Sequence, residues 1–321
     1  MRILLVKTSS LGDVIHNLPV VSDILQHFPN ATVDWCVEEN FAAIPRLHPG
    51  VTEVIPVAIR RWRKRLFQVN TWQEINTFGR RLKAHRYDAV IDTQGLLKSA
   101  MITRQANGAH LGYDSFSARE SIAARFYDRT FSVSTDAHAV IRNRQLVAAA
   151  LGYALPETLD YGVSGAGNDA MSGVDWLPTT PYVTLLTATS RDDKLWLEAS
   201  WVDLGNALRA LGYTTVLPGG SPIERERAAR LASQIPDAIA APALGIDQLA
   251  TVLAESRAAV GVDTGLTHLS VALNTPTVAI YTATDPGLTG VLGPGFHKNL
   301  GGKQQMPTPE AVLEALRPVL N

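Results

Sequence analysis

At 321 residues, with 46% hydrophobic and 18% charged residues and a formal net charge of −1, the chain has the composition of a globular protein of about two domains. Lys and Arg outnumber Asp and Glu before residue 170 and are outnumbered after it, a bias that hints at an anionic partner for the first half. The bias is too small for nucleic acid, and no zinc-ligand or recognition-helix signature supports one.

Cys36 is the only cysteine, which excludes an internal disulfide or a thiolate metal site and suits a reducing compartment. The apolar run Ile3-Leu4-Leu5-Val6 is too short for a signal peptide, and no stretch approaches the roughly eighteen apolar residues of a membrane span. The expected location is the cytoplasm, with contact to a membrane surface left open.

In chain order, Ile3–Lys7 predicts a strand buried on both faces, Thr8–Asp13 a turn, and Val14 onward a helix to about His27. Ala31–Val37 and Val51–Pro56 predict further strands. A basic helix closing at Leu82–Tyr87 precedes strand Ala89–Asp92, turn Gln94-Gly95 and helix Leu97–Gln105. Around Thr158–Thr179 the pattern lapses into Gly, Ser, Asp and Pro, which predicts a linker. The alternation then restarts with strand Tyr182–Leu186, helix Trp201–Leu211, strand Thr214–Leu217 and helix Ile223–Ile235. A short strand at Ala238–Ala240, helix Ile246–Glu255, strand Arg257–Gly261, strand Thr277–Tyr281 and terminal helix Pro309–Leu320 complete the chain. Strands alternating with helices predict an α/β protein built from two doubly wound parallel sheets. Two such halves facing a cleft would place a ligand between them.

Five stretches could carry chemistry. Asp263 and Thr264 fall between a strand and a helix, where open α/β sheets bind ligands and helix N–H groups suit phosphate. His268 lies one helical turn beyond Thr264, on nearly the same face. The alternative is an ordinary strand–turn–helix with Asp263 or Thr264 as N-cap. Gly12 permits a tight turn or close approach of a ligand, and Asp13 is either a first-turn acid complementing the helix dipole or a general base. Thr187–Trp196 holds hydroxyls with Arg191 and Lys194, a set suited to a diphosphate, where a Lys would stabilise charge on a leaving group. A solvated charged loop is the alternative. Arg60-Arg61-Trp62-Arg63-Lys64-Arg65 places five cations in six positions, either a solvated face or a site for an anionic acceptor or phospholipid headgroups. Glu224, at a helix start after Gly219-Gly220-Ser221-Pro222, suits ribose hydroxyls or plain N-terminal capping. Arg119 is a weaker candidate, and His16, His85 and His110 show no metal-ligand spacing.

Three motifs occurring in order give these stretches a common meaning: Lys7-Thr8-Ser9-Ser10-Leu11-Gly12-Asp13, Thr189-Ser190-Arg191-Asp192-Asp193-Lys194-Leu195-Trp196 and Asp263-Thr264-Gly265-Leu266-Thr267-His268. The chain resembles the bacterial lipopolysaccharide heptosyltransferases of glycosyltransferase family 9 over nearly its whole length. That resemblance implies a GT-B fold of two Rossmann-like domains facing a central cleft, with residues 1–165 binding the acceptor and 166–308 the nucleotide sugar. Helix 309–320 would pack back on the first domain.

The activity implied is inverting transfer of L-glycero-D-manno-heptose from ADP-heptose to the Kdo of Kdo-lipid A. It needs no metal and no cofactor and takes place at the anionic cytoplasmic face of the inner membrane. By the same resemblance Asp13 is the base and Lys194 stabilises the departing diphosphate. Thr189, Ser190, Thr264, Gly265 and Leu266 contact phosphate, Asp263 and His268 lie near the heptose or diphosphate, and Glu224 binds ribose. Gly12, Arg60, Arg61, Arg63, Lys64 and Arg119 meet the acceptor. Thr187, Ser190, Leu195, Leu197 and Thr282-Ala283 depart from the family pattern. The alternatives are the pathway's second heptosyltransferase, a GT-B nucleotide-sugar epimerase and a two-domain solute-binding protein.

Overall fold

The computed structural model describes residues 1–164 and 176–320, and the chain divides into two compact units, Met1–Gly162 and Val163–Asn321. The expected boundary at 165/166 and much of the expected linker lie outside the described residues.

The first unit runs β1 (Arg2–Val6), α1 (Leu11–Ile15), α2 (Leu18–His27), β2 (Thr32–Glu38), α3 (Ala43–Arg46), β3 (Val51–Val57), α4 (Ile59–Trp62) and α5 (Val69–Lys83). It continues through β4 (Ala89–Asp92), α6 (Leu97–Thr103), β5 (His110–Tyr113), β6 (Arg129–Phe131) and α7 (Ala139–Leu151). The strands form one parallel sheet in the order β3-β2-β1-β4-β5-β6. Ile3, Leu4, Leu5 and Val6 are fully buried, as expected of a central parallel strand covered by helices on both faces.

The expected single helix from Val14 to His27 is two helices. Pro19 has no N–H for Ile15 and its ring opposes that carbonyl, so the chain stops at His16-Asn17 and restarts with Pro19 in the first turn of α2. Helix α1 also begins earlier than expected, at Leu11. Gly12 therefore lies inside a helical turn, its carbonyl accepting from the His16 N–H, and not at a tight turn. The turn that does require glycine is at Gly95, where φ is +68°.

The second unit repeats the plan with β7 (Tyr182–Leu186), α8 (Glu198–Ala210), β8 (Thr214–Leu217), α9 (Pro222–Ala232), β9 (Ile239–Ala240) and α10 (Ile246–Ala254). Then follow β10 (Ala258–Val262), α11 (Gly265–Ala272), β11 (Thr277–Tyr281), β12 (His297–Gly301) and α12 (Pro309–Leu320). Its parallel sheet has the order β12-β11-β10-β7-β8-β9. Counted from its own first strand, this is the strand order of the first unit. Both follow the Rossmann arrangement.

The terminal helix was expected against the first unit. Its buried face, Val312, Leu316 and Leu320, instead joins the core of the second, beside Trp201, Leu204, Val260 and Ile280. The apolar spacing of Val312, Leu316 and Leu320 matches one stripe of a helix, and α8 with strands β10 and β11 supplies the apolar surface that stripe needs.

Candidate active site

In a doubly wound sheet the loops leaving two adjacent strands turn to opposite faces at one place, and the gap between them binds ligands. In the first unit that place is between β1 and β4, and in the second between β7 and β10. The three motifs singled out from the sequence all leave strands at these two positions.

In the first unit the chain leaving β1 is fastened to the loop after β4. The N–H groups of Thr8 and Ser9 both donate to Gln94 Oε1, at 3.0 and 3.1 Å. Asp92 at the end of β4 accepts from the Gln94 and Gly95 N–H groups and from the Tyr127 hydroxyl, which shapes that loop. Asp13 Oδ2 accepts from the Ser10 N–H and hydroxyl, each at 2.9 Å, so the carboxylate caps the start of its own helix. Its other oxygen accepts from Arg119 at 2.6 Å. Asp13 is thus a first-turn acid, and it also borders a small cavity with Lys7, Gln94, Tyr113, Arg119 and Arg142. That cavity measures about 20 Å³, room for one water molecule.

The electrostatics around Asp13 are one-sided. Burial by itself pushes its pKa up, but the charges of Lys7 and Arg119, with the Ser10 N–H, outweigh it and hold the carboxyl well below the usual carboxylate range. Lys7 is buried, donates to Thr93 O at 2.8 Å and to Asn143 Oδ1 at 3.3 Å, and is lowered to about 8, chiefly by burial, against the opposing pull of Asp13. Asp13 is therefore ionised across the physiological range.

The basic run divides. Arg61 uses its guanidinium on Glu39, at 3.0 Å, and on Glu74, at 2.7 Å, while Trp62 is buried and donates to Glu74 at 2.7 Å. Arg61 thereby anchors α4. Arg60 lies over the Phe41 ring, 5.2 Å from its centre, and Arg63 and Lys64 are exposed and open to an anion.

In the second unit, Lys194 Nζ lies 2.7 Å from Asp263 Oδ2, and the Thr284 hydroxyl donates to the same oxygen at 2.7 Å. The Thr189 hydroxyl donates to Asp263 O at 3.0 Å, so the loop after β7 is drawn onto the loop after β10. Asp263 thus fixes Lys194 at the switch point. Thr264 caps α11 in an extended conformation, leaving the N–H groups of Gly265 and Leu266 without intrahelical acceptors. His268 is buried one turn further along, and Ser190 is exposed.

Helix α11 sits tight against the strand end because Gly261 has no side chain. A Cβ there would lie 2.1 Å from Thr267 Oγ1, which donates to Val262 O at 2.7 Å. Of the departures from the family pattern, Thr187 buries a hydroxyl that has no hydrogen-bond partner among the described residues. Thr282 donates to Asp193 O at 2.9 Å and so ties down the Thr187–Leu197 loop, and Leu197 is an exposed N-cap of α8.

Glu224 closes a capping box. Its Oε2 accepts from the Gly220 and Ser221 N–H groups at 2.9 and 2.7 Å, and its own N–H donates to Ser221 Oγ at 3.2 Å. The capping alternative is therefore present whatever else the residue does. Lys7, at the head of the first motif, joins the site, as do residues not singled out from the sequence: Gln94, Tyr113, Arg142 and Asn143 in the first unit, Thr284 in the second. Asn143 and Arg142 come from α7, whose helix had no clear periodic signal. Among the described residues, no group of three or more His, Cys, Asp or Glu is placed to hold a metal ion.

Two Rossmann-like units, each with charged groups at the switch point of its parallel sheet, are the architecture of the GT-B class, to which nucleotide-sugar glycosyltransferases belong. The profile described as glycosyltransferase family 9 (heptosyltransferase) matches residues 75–314, and the chain belongs to that family. It is 49% identical over 295 residues to a lipopolysaccharide heptosyltransferase 1 of Pseudomonas aeruginosa, a match spanning 91% of this chain and 82% of that one. The solved structure of the Escherichia coli heptosyltransferase WaaC with ADP superposes with a TM-score of 0.90 at 43% identity, covering 99% of both chains. Heptosyltransferase II of E. coli shares the fold, with a TM-score of 0.80 at 22% identity over 100% of this chain and 98% of that one.

Proposed function

We propose that this heptosyltransferase moves L-glycero-D-manno-heptose from ADP-heptose to the Kdo of Kdo-lipid A, inverting the anomeric carbon, in building the inner core of lipopolysaccharide. One observation carries the mechanism. A carboxylate paired with Arg119 stands at the switch point of the first unit, and an ammonium paired with a carboxylate stands at that of the second. A single displacement needs those two groups: a base for the acceptor hydroxyl and a cation for the departing diphosphate. The first-turn N–H groups of Gly265 and Leu266 would share the diphosphate's charge with Lys194, so no metal ion is called on.

The low pKa of Asp13 is compatible with a base. As the acceptor oxygen bonds to the anomeric carbon it takes on oxonium character, and its proton becomes acidic enough for a weak carboxylate to accept. An acceptor carboxylate that draws Arg119 away would strengthen the base further. Arg119→Ala is thus expected to raise the Asp13 pKa. Wild-type kcat/KM should hold nearly flat from pH 7.5 down to 5.5, and the variant's acid limb should begin at a higher pH than the wild type's, with a higher acceptor KM, while Lys7 still holds Asp13 low. Coincident profiles in both proteins would remove Arg119 from this role.

Glu224 is tested by separating its two duties. Glu224→Ala should lower stability by about 1 kcal/mol through loss of the capping box, read by thermal or urea unfolding. Glu224→Gln retains an acceptor oxygen for the box, so a rise in donor KM with unchanged melting would report a ribose contact. An unchanged KM would leave Glu224 a cap alone.

The reaction itself is tested by mass spectrometry of deacylated Kdo-lipid A incubated with the protein and ADP-heptose, with gain of one heptose the expected result. Gain of mass only on an acceptor already carrying heptose would assign the second transferase of the pathway. Identity favours the first: 43% to WaaC against 22% to heptosyltransferase II. The acceptor's lipid places this chemistry at the cytoplasmic face of the inner membrane. Among the described residues no helix is long and apolar enough to cross it.

A further inference from the structure

In the segment between α4 and α5, Arg63 and Lys64 are acceptor candidates, but the apolar residues that follow them have no part in the chemistry above. Arg63, Lys64 and Arg65 are exposed, and directly after them Leu66 is 45% and Phe67 105% exposed. Val69 and Trp72, at the start of α5, are 72% and 54% exposed. An aromatic side chain left wholly in water gives up the largest transfer free energy an apolar residue can offer.

Loose chain does not explain it. The backbone is a succession of turns, with Lys64 N–H donating to Arg61 O at 3.1 Å, Arg65 to Trp62 O at 2.9 Å and Gln68 to Arg65 O at 3.0 Å. The Trp72 indole donates back to Leu66 O at 2.9 Å. The root is fixed by the Arg61 and Trp62 bonds to Glu39 and Glu74. The fold holds Phe67 out.

A second exposed aromatic has the same address. Phe116, 89% exposed, follows β5 in a turn that Asp114 Oδ1 closes by accepting from the Phe116 and Ser117 N–H groups at 3.2 and 2.8 Å. All strands of this sheet are parallel, so the segments after β3 and β5 leave from the edge that β1 and β4 use for the Asp13 site. In the strand order they fall on either side of that site.

We infer that the Arg63–Phe67 segment and Phe116 form a membrane-docking surface that inserts apolar side chains into an anionic phospholipid bilayer while Arg63, Lys64 and Arg65 meet the headgroups. Basic residues beside exposed aromatic and aliphatic ones fit the interface of such a bilayer, where each half of the set finds its partner. The inference deepens the function proposed above and rests on it in one respect: a lipid-borne acceptor sugar lies just above the bilayer, so flanking anchors would set the height of the Asp13 site.

The test uses vesicles of phosphatidylethanolamine and phosphatidylglycerol that contain no sugar acceptor, with flotation as the readout. The wild-type protein should float with them, less at high salt and less with phosphatidylcholine alone. The double variant Leu66→Ser/Phe67→Ser should partition about tenfold less, and Phe67→Leu should retain binding. The double variant should keep kcat/KM on deacylated, water-soluble acceptor within about twofold and lose about tenfold on acceptor embedded in vesicles. Equal flotation of variant and wild type, or no flotation of the wild type, would overturn the inference. So would an equal loss on the soluble acceptor, or self-association abolished by Leu66→Ser/Phe67→Ser without vesicle binding, which would assign the surface to a second copy. Flotation lost in the double variant, with no transfer to any acceptor by the wild type, would support the docking surface and count only against the proposed reaction.

Discussion

Asp13→Asn is expected to lower kcat/KM about 10³-fold while leaving ADP-heptose affinity within about twofold. The amide is nearly isosteric and retains an oxygen to accept from Ser10, so α1 keeps its cap and the loss reports proton acceptance. Arg119 loses its carboxylate partner, but at about half exposure it is resolvated cheaply. The check is a pair of measurements: steady-state rates with deacylated acceptor and calorimetric titration of the donor analogue. Comparable losses in both would show that Asp13 shapes the donor site and would remove it as the base. A residual rate that is independent of pH would fit positioning and charge stabilisation continuing without it.

Lys194→Met is expected to lower kcat by about 10²- to 10³-fold and to weaken ADP binding by a smaller factor. The ammonium is held by Asp263, and the Thr284 hydroxyl shares that carboxylate, so the cation stands in place before substrate arrives. Preorganisation of this kind makes the charge more useful as the diphosphate leaves than when the donor merely binds. The variant also strands a carboxylate that is only 13% exposed, which separates two explanations for any loss. Asp263→Asn relieves that cost and frees Lys194 from its tether, so it should lose less than Lys194→Met, and the double variant should lose little more than Lys194→Met alone. Fully additive losses would mean that Asp263 acts on the sugar directly.

Legibility of the fold followed the continuity of apolar runs. Tyr182–Leu186, Thr214–Leu217, Thr277–Tyr281 and Pro309–Leu320 fall where the sequence places them, because each presents an unbroken buried run or one clean stripe. The elements missed lack that signature for physical reasons. Strand β6 is an edge strand whose Arg129 and Thr130 are exposed, and β12 is the half-exposed edge of the other sheet. Strand β5 contains Gly112, needed because the Tyr127 ring packs where its Cβ would be, 2.4 Å away. Helix α7 turns polar groups inward: Asn143 is buried beside Lys7, and Arg144 is buried in an ion pair with Asp23 at 2.7 Å. The same distinction governs the site. Asp13, Lys194 and the Asp263–His268 stretch carry local motifs at strand ends, whereas Lys7, Tyr113 and Asn143 matter only through partners distant in sequence. Arg61 looked like its neighbours in the basic run until Glu39 and Glu74 were seen to claim it.

The lodging of α12 on the second unit bears on how such enzymes diversify. With the last helix in its own half, each unit is one contiguous stretch of chain on either side of Gly162 and Val163. Had α12 belonged to the first unit, exchanging a half between two relatives would demand two junctions and the rebuilding of a core. As it stands, a single crossover near codon 162 transplants every residue assigned to the donor and leaves every residue assigned to the acceptor behind. Under the roles proposed above, donor and acceptor specificity would each lie within one contiguous stretch of the chain.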